Sequence, residues 1–227
     1  MSDAPGEAGP ASTRMVDFYF DFASPYAYFA YGPLSALARR HGLRLRRRPV
    51  LLWALLKELG LPLPMEQADK RRYLEHDMRR SAAYFGLPFC LPPNFPVSGL
   101  AAARLFYALE AQPQQELPAP GGDLVEAVFR ACFADGRDIG DADVLIEVAA
   151  SVGLAAEWTR QAVESDTGKS VLRLANAEAA RRGVWGSPFW FWGEEAFFGA
   201  DRLPQFERCL ELQGGAHSNS ESIRQSL

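Results

Sequence analysis

The chain has 227 residues, 48% of them hydrophobic, enough to bury the core of one large domain or of a small domain carrying an insertion. A formal net charge of −4 speaks against nucleic acid as a partner, and no apolar run approaches the length of a membrane span. The three cysteines (Cys90, Cys132, Cys209) and three histidines (His41, His76, His217) are scattered, which excludes a C-x-x-C redox pair and a zinc site of local spacing. An odd cysteine count suits a reducing compartment, and residues 1–14 lack the apolar stretch of a secretory signal, so the cytoplasm is the expected location.

In chain order, residues 1–14 are small and polar and are expected to be disordered. "VDFYFDF" (16–22) is almost continuously apolar, as in a strand covered on both faces. Ser24 and Pro25 then open a helical segment that Gly42 ends, with Gly32-Pro33 expected to interrupt or kink it. "LRLRRRPV" (43–50) reads as a second strand that puts Arg44, Arg46 and Arg48 on one side, expected as a solvated basic face. Strand, helix and strand make a βαβ unit, whose ligand sites lie at strand C-terminal ends beside helix N-termini.

Between residues 51 and 182 the pattern becomes helical, in segments starting near Leu51, Met65, Ser98, Asp123, Asp141 and Lys169. "QPQQELPAPGGD" (112–123) is expected as a loop between two of these helices. "PFWFW" (188–192) and "AFF" (196–198) are strands joined by a "GEE" hairpin turn, and a last helix is expected from Asp201. The tail 214–227 is again polar and expected to be disordered. The order βαβ, helices, ββα is that of an α/β protein: a thioredoxin-like fold in two halves, 15–50 and 183–213, with an inserted all-helical domain over 51–182.

Ser24 is the first candidate for chemistry. A serine before a proline at the first helical position is a normal cap, since proline's missing N–H needs no partner there. The same place offers free helical N–H groups and a positive dipole end to an anion. A serine-hydrolase site lacks a nearby histidine and a G-x-S-x-G elbow, and "TGKS" (167–170) fails as a phosphate loop because Val163 stands where its first glycine belongs.

Three separated motifs carry a resemblance: "DFASPYAYFA" (21–30), the segment holding Lys70, Tyr73, Asp77 and Arg80, and "GVWGSPFWFWGEEAFFGADRL" (183–203). In this order they resemble the 2-hydroxychromene-2-carboxylate isomerases and kappa-class glutathione transferases, a DsbA-related branch of the thioredoxin-like proteins. The resemblance implies glutathione as cofactor and Ser24 as the residue that hydrogen-bonds its thiolate. It implies that Pro188 follows a cis peptide bond, so that the Ser187 backbone pairs with glutathione like a short added strand; a proline that merely opens a strand is the alternative. Tyr26, Lys70, Asp77, Ala200 and Asp201 complete the implied binding set, Lys70 for the glycyl carboxylate and Asp201 for the γ-glutamyl ammonium. The family's serine before that aspartate is Ala200 here, and an asparagine of some kappa relatives corresponds to Leu61.

Ser24-Pro25-Tyr26-Ala27 stands where DsbA-like oxidoreductases carry C-x-x-C, so disulfide exchange has no sulfur to work with. The resemblance implies instead reversible addition of the glutathione thiolate to an unsaturated aromatic keto acid, in aromatic compound degradation. Tyr26, Trp53, Tyr84, Phe85, Trp185 and Phe198 are candidate walls of the substrate pocket. Conjugation of glutathione to electrophiles and a non-catalytic thiol-peptide binding module are the alternatives. Expected partners are a small aromatic substrate and, by the resemblance, a second copy in a homodimer; nucleic acid and membranes are not expected.

Overall fold

The structure, a computed structural model, describes residues 14–112 and 121–212. Apart from Arg14, the two terminal segments expected to be disordered lie outside these residues, as does most of the 112–123 loop. The apolar run after Arg14 forms β1 (Met15–Phe20), α1 follows over Pro25–Arg40, and β2 (Arg44–Pro49) returns parallel to β1. The helical region holds α2 (Leu52–Glu58), α3 (Ala68–Phe85), α4 (Leu100–Glu110), α5 (Gly121–Phe133), α6 (Ala142–Ser151), α7 (Ala156–Glu164) and α8 (Asp166–Arg181). The chain closes with β3 (Phe189–Trp192), β4 (Glu195–Phe198), a 3-10 turn (Ala200–Arg202) and α9 (203–212). The sheet order is β2-β1-β3-β4, with β1–β3 and β3–β4 antiparallel.

Because side chains alternate along a strand, each sheet face receives its own set. Val16, Phe18 and Phe20, with Trp190, Trp192 and Phe197, meet Leu34 and Leu37 of α1 and Phe206 and Leu210 of α9. The same cluster runs on without a break into Leu105, Phe106, Phe129 and Phe133 of the helical region. Tyr19, Phe189 and Phe191 face the other way, against Val50, Leu55, Ala179 and Val184. The inserted helices thus share the core of the sheet, and α8 covers its second face.

Several local readings change. α1 runs unbroken through Pro33; the roughly 3 kcal/mol that an interior proline costs is offset by a face on which Phe29, Ala30, Leu34 and Leu37 are all buried. The hairpin turn is Gly193-Glu194 alone, with Glu195 already paired to Trp192 and Gly193 at φ +60°, where a side chain would be strained. The glycines at 121 and 122 are helical, and the terminal helix begins two residues after Asp201, behind the 3-10 turn. α7 has no side-chain cap and a polar composition, so its start carries no sequence signal; it is held by burial of Thr159 and Ala162.

Of the β2 arginines expected on a solvated face, Arg44 and Arg46 are exposed, but Arg46 and Arg48 face carboxylates. Asp17, buried on β1 opposite Arg46, accepts both Arg46 Nε–H and Nη2–H, the latter at 2.7 Å, and also Arg182 Nη1–H at 2.8 Å. Arg182 reaches Tyr19 Oη at 3.1 Å and lies 4.0 Å from the centre of the Phe191 ring. Burial pushes the Asp17 carboxyl up, but the Arg46 and Arg182 hydrogen bonds and charges outweigh it and hold the group below the usual value of 3.8. A depressed folded-state pKa contributes stability that is present above 3.8 and lost as pH falls through the folded value. Acid denaturation followed by circular dichroism should show this loss below about pH 4. Asp17→Asn should remove that part of the acid dependence and lower the neutral-pH unfolding free energy by about 2 kcal/mol.

Candidate active site

The cleft forms where β1 ends. Ser24 has an extended backbone (φ −97°, ψ 111°), and its Oγ accepts the Ala27 N–H at 3.3 Å, capping α1. Pro25 occupies the first helical position, so the Tyr26 amide is among the N-terminal donors left without an intrahelical acceptor. Ser24 N–H donates to Asp21 C=O at 3.0 Å, closing a turn over Asp21–Ser24.

The 183–188 segment crosses directly against this turn. Its Ser187-Pro188 bond is cis, as the sequence suggests. Ser24 Oγ donates to Ser187 C=O at 3.1 Å, and Asp21 N–H donates to Ser187 Oγ at 2.9 Å, both buried. Two stretches more than 160 residues apart are thereby interlocked.

These residues border a cavity of about 430 Å³. Trp53 and Leu56 of α2 and Leu61, Pro62 and Pro64 after it supply one apolar wall, Leu74 and Met78 of α3 a second, and Phe95-Pro96 a third. Trp185, Gly186 and Phe198 form the rim. The two rim rings lie 4.2 Å apart between centres and are each about half exposed. Polar side chains are few: Asp21, Ser24, Tyr26, Lys70 and Ser187.

Each has a definite state. Tyr26 Oη donates to Asp77 at 2.6 Å, and burial together with that carboxylate pushes its hydroxyl well above the usual phenol range. Its hydrogen is committed to Asp77 of α3, while its ring packs edge-on against Phe29 at 5.9 Å. Asp77 does not border the cavity. Burial opposes its ionisation, but Tyr26 and Arg80, the latter at 2.8 Å, hold it below the usual carboxylate range. Lys70 borders the cavity; its neighbours Arg71 and Arg72 pair with Glu75 and Asp69, whereas Lys70 pairs with no carboxylate among the described residues. Ala200 and Asp201 are not brought to this cavity. They border a separate groove with Arg39, Arg40, Tyr84 and Phe85, and Ala200 is buried beside Met78 and Phe29. Asp201 is paired with Arg202 at 2.6 Å and is largely exposed. Pro188 is within the interlocked segment but its backbone carbonyl is taken by Gly199 N–H at 3.0 Å.

Sequence reasoning passed over Asp21. Its Oδ1 accepts Ala23 N–H and its Oδ2 accepts Leu52 N–H, each at 2.8 Å, so one fully buried carboxyl ties the Ser24 turn to the start of α2. Burial pushes its pKa up, against those two amide bonds. A charged residue inside the run "DFYFDF" was the available signal. Gly99 permits the arrangement, because a Cβ there would come within 2.5 Å of Asp21 Oδ1.

Among the described residues there is no cluster of three or more metal-ligating side chains and no helix long and apolar enough to cross a membrane. A mixed four-stranded sheet, an antiparallel closing hairpin and a cis-proline segment facing a capped helix define a thioredoxin-type site from which the cysteines are missing. The chain belongs to the family of DSBA-like thioredoxin domains, whose profile matches residues 15–211. Within it, the chain is 33% identical over 200 residues to the 2-hydroxychromene-2-carboxylate isomerase of Sphingobium xenophagum, covering 87% of this chain and 98% of that one. It is 24% identical to glutathione S-transferase kappa 2 of Caenorhabditis elegans, over 85% and 89% of the two chains. A solved structure of a 2-hydroxychromene-2-carboxylate isomerase superposes with a TM-score of 0.78 at 26% identity, over 90% and 98%. The protein is accordingly an enzyme of the isomerase kind.

Gly186 shapes the rim, since a Cβ there would fall 2.1 Å from Phe198 Cε2. Gly186→Ala should push the Phe198 ring off Trp185, seen as a changed Trp emission spectrum, at a cost of about 1–3 kcal/mol in stability by denaturant titration.

Proposed function

We propose that the protein is a glutathione-dependent isomerase of 2-hydroxychromene-2-carboxylate or a closely related unsaturated aromatic keto acid. The observation that carries this reading is the pairing, in one apolar cavity, of a capped helix N-terminus with two serine hydroxyls and no cysteine among the lining residues. Such a site suits a thiolate brought by a ligand rather than one of the protein's own. The names of the relatives point the same way: isomerases at 33% identity, glutathione transferases at lower identity.

The residues present fit a thiol peptide on structural grounds. The α1 N-terminus presents the Tyr26 amide and its dipole to an anion. Lys70 supplies an uncommitted ammonium for a carboxylate at the cavity edge. Trp53, Trp185 and Phe198 offer flat apolar surface to an aromatic ring, and the proline-rich turn over residues 62–64 narrows access of water. When bound, glutathione would supply the nucleophilic sulfur for reversible addition to the substrate's double bond and would leave unchanged. The protein's part is to lower the thiol pKa, to hold the substrate ring against the rim, and to keep the site dry. Three unpaired cysteines fit a reducing cytoplasmic setting, where glutathione is abundant.

The test is an absorbance assay of purified protein on 2-hydroxychromene-2-carboxylate. Turnover should require glutathione and leave its concentration unchanged. Consumption of glutathione would indicate a transferase instead, and equal turnover without it would overturn the mechanism. Ser24→Ala should lower kcat/KM by roughly tenfold and stability by about 1 kcal/mol, since the cap and the contact to Ser187 are both lost.

A further inference from the structure

A second cavity, of about 400 Å³, lies between α4, α6 and α7, and none of the residues that border it borders the candidate active site. Leu100, Leu145, Ile146 and Val163 give it an aliphatic wall, and no aromatic side chain lines it. A concave space of this size, mostly apolar with a few polar groups at its edge, has the make-up of a small-molecule site.

The charged groups at its edge are cationic on balance. Arg104 and Arg160 border it with one carboxylate, Glu164, in a chain whose formal net charge is −4. Arg160 Nη1 lies 3.5 Å from Glu157, an exposed pair of the kind that contributes little. Arg104 is the less well answered of the two. Its nearest carboxylate is Glu164 at 3.9 Å, beyond hydrogen-bond distance, and Glu164 is held more closely by Lys169 at 2.9 Å. The Arg104 side chain is only 24% exposed, and its Nε is buried with no acceptor among the described residues. A guanidinium taken that far out of water with its donors unused is costly, and a carboxylate is the group whose shape its fork of N–H donors matches.

Charge and surface together select the ligand. The guanidinia call for an anion, while the aliphatic wall calls for a chain, because a small inorganic anion would leave that wall wet. We propose that the cavity between α4, α6 and α7 binds a medium-chain aliphatic carboxylate, its head on Arg104 and its chain along Leu100, Leu145, Ile146 and Val163. Arg160, one helical turn before Glu164 on α7, adds a second positive charge, and Glu164 stays with Lys169. A chain of roughly eight carbons with its head group fits the space at about 30 Å³ per heavy atom, the share of one molecule in liquid water. The assignment is independent of the glutathione reading.

The experiment is isothermal titration calorimetry of the full-length protein with octanoate as probe, and butyrate, octanol and benzoate as comparisons. Octanoate should bind saturably, one per chain. Butyrate and octanol, which lack the chain length and the charge respectively, should each bind at least several-fold more weakly, as should benzoate. Arg104→Gln should weaken octanoate roughly tenfold and Arg104→Lys less, since lysine keeps the charge but not the fork. Ile146→Trp, which fills the cavity from its partly exposed wall, should abolish binding. Thermal melting of each variant checks its fold, and the octanol comparison reads the need for charge in the wild-type protein. No saturable binding of octanoate, equal affinity for octanol, tighter binding of benzoate, an unchanged Kd in folded Arg104→Gln, or binding that survives Ile146→Trp would each overturn the proposal.

Discussion

The organisation of this protein depends on one interlock, the pair of buried hydrogen bonds that joins the Asp21–Ser24 turn to Ser187. Ser24 Oγ donates to the Ser187 carbonyl while the Asp21 amide donates to the Ser187 hydroxyl oxygen, so the turn supplies both donors and Ser187 both acceptors. Removing either partner would leave a largely buried polar group without its protein partner, a loss that costs stability. It brings the end of β1 and the start of β3 together at the mouth of the cavity, and the antiparallel register from Val16↔Trp192 to Tyr19↔Phe189 continues directly from it.

From that point outward, the polar groups are arranged as a graded series. Asp21 lies beneath the turn, with both carboxyl oxygens satisfied by backbone amides, and couples the turn to α2. Tyr26 couples the first turn of α1 to α3 through Asp77. The Asn176 side chain exchanges two hydrogen bonds with the Leu51 backbone and so couples α8 to the same corner. Each helix that walls the cavity is tied to the turn, or to the strand that leads from it, by a directional bond as well as by apolar packing. Such anchoring keeps a cleft of this kind open and dry.

The opposite end of the sheet uses charge in a different way. Asp17 stands on the same strand face as Tyr19 and gathers Arg46 and Arg182, with Arg48 at 4.0 Å and Glu178 beyond it. This cluster holds the edge strand β2 against β1 and α8, a region otherwise thin in apolar contacts. Of the arginines on this strand, Arg46 and Arg48 thus face carboxylates of the protein itself.

The amino-acid sequence by itself determined the order of the strands and of the helices other than α7, and the serine cap, because each depends on local backbone chemistry such as a near-continuous apolar strand or a Ser-Pro helix start; the cis-proline candidate came from the resemblance carried by the Gly-x-x-Gly-Ser-Pro run. It also marked Lys70 and Tyr26, which lie in short motifs at helical spacing. The tertiary structure alone decided that Ser24 and Ser187 meet, since their contacts join segments more than 160 residues apart in the chain. The same holds for Asp21, whose two acceptor bonds are to Ala23 and to the distant Leu52. It also placed Asp201 on a neighbouring groove and committed Asp77 to Tyr26, both outcomes of how α3 and the terminal 3-10 turn pack around Met78 and Ala200. Local propensity fixes where helices and strands start; partner choice for a buried polar group is a long-range matter, and it is there that the chemistry of the site is set.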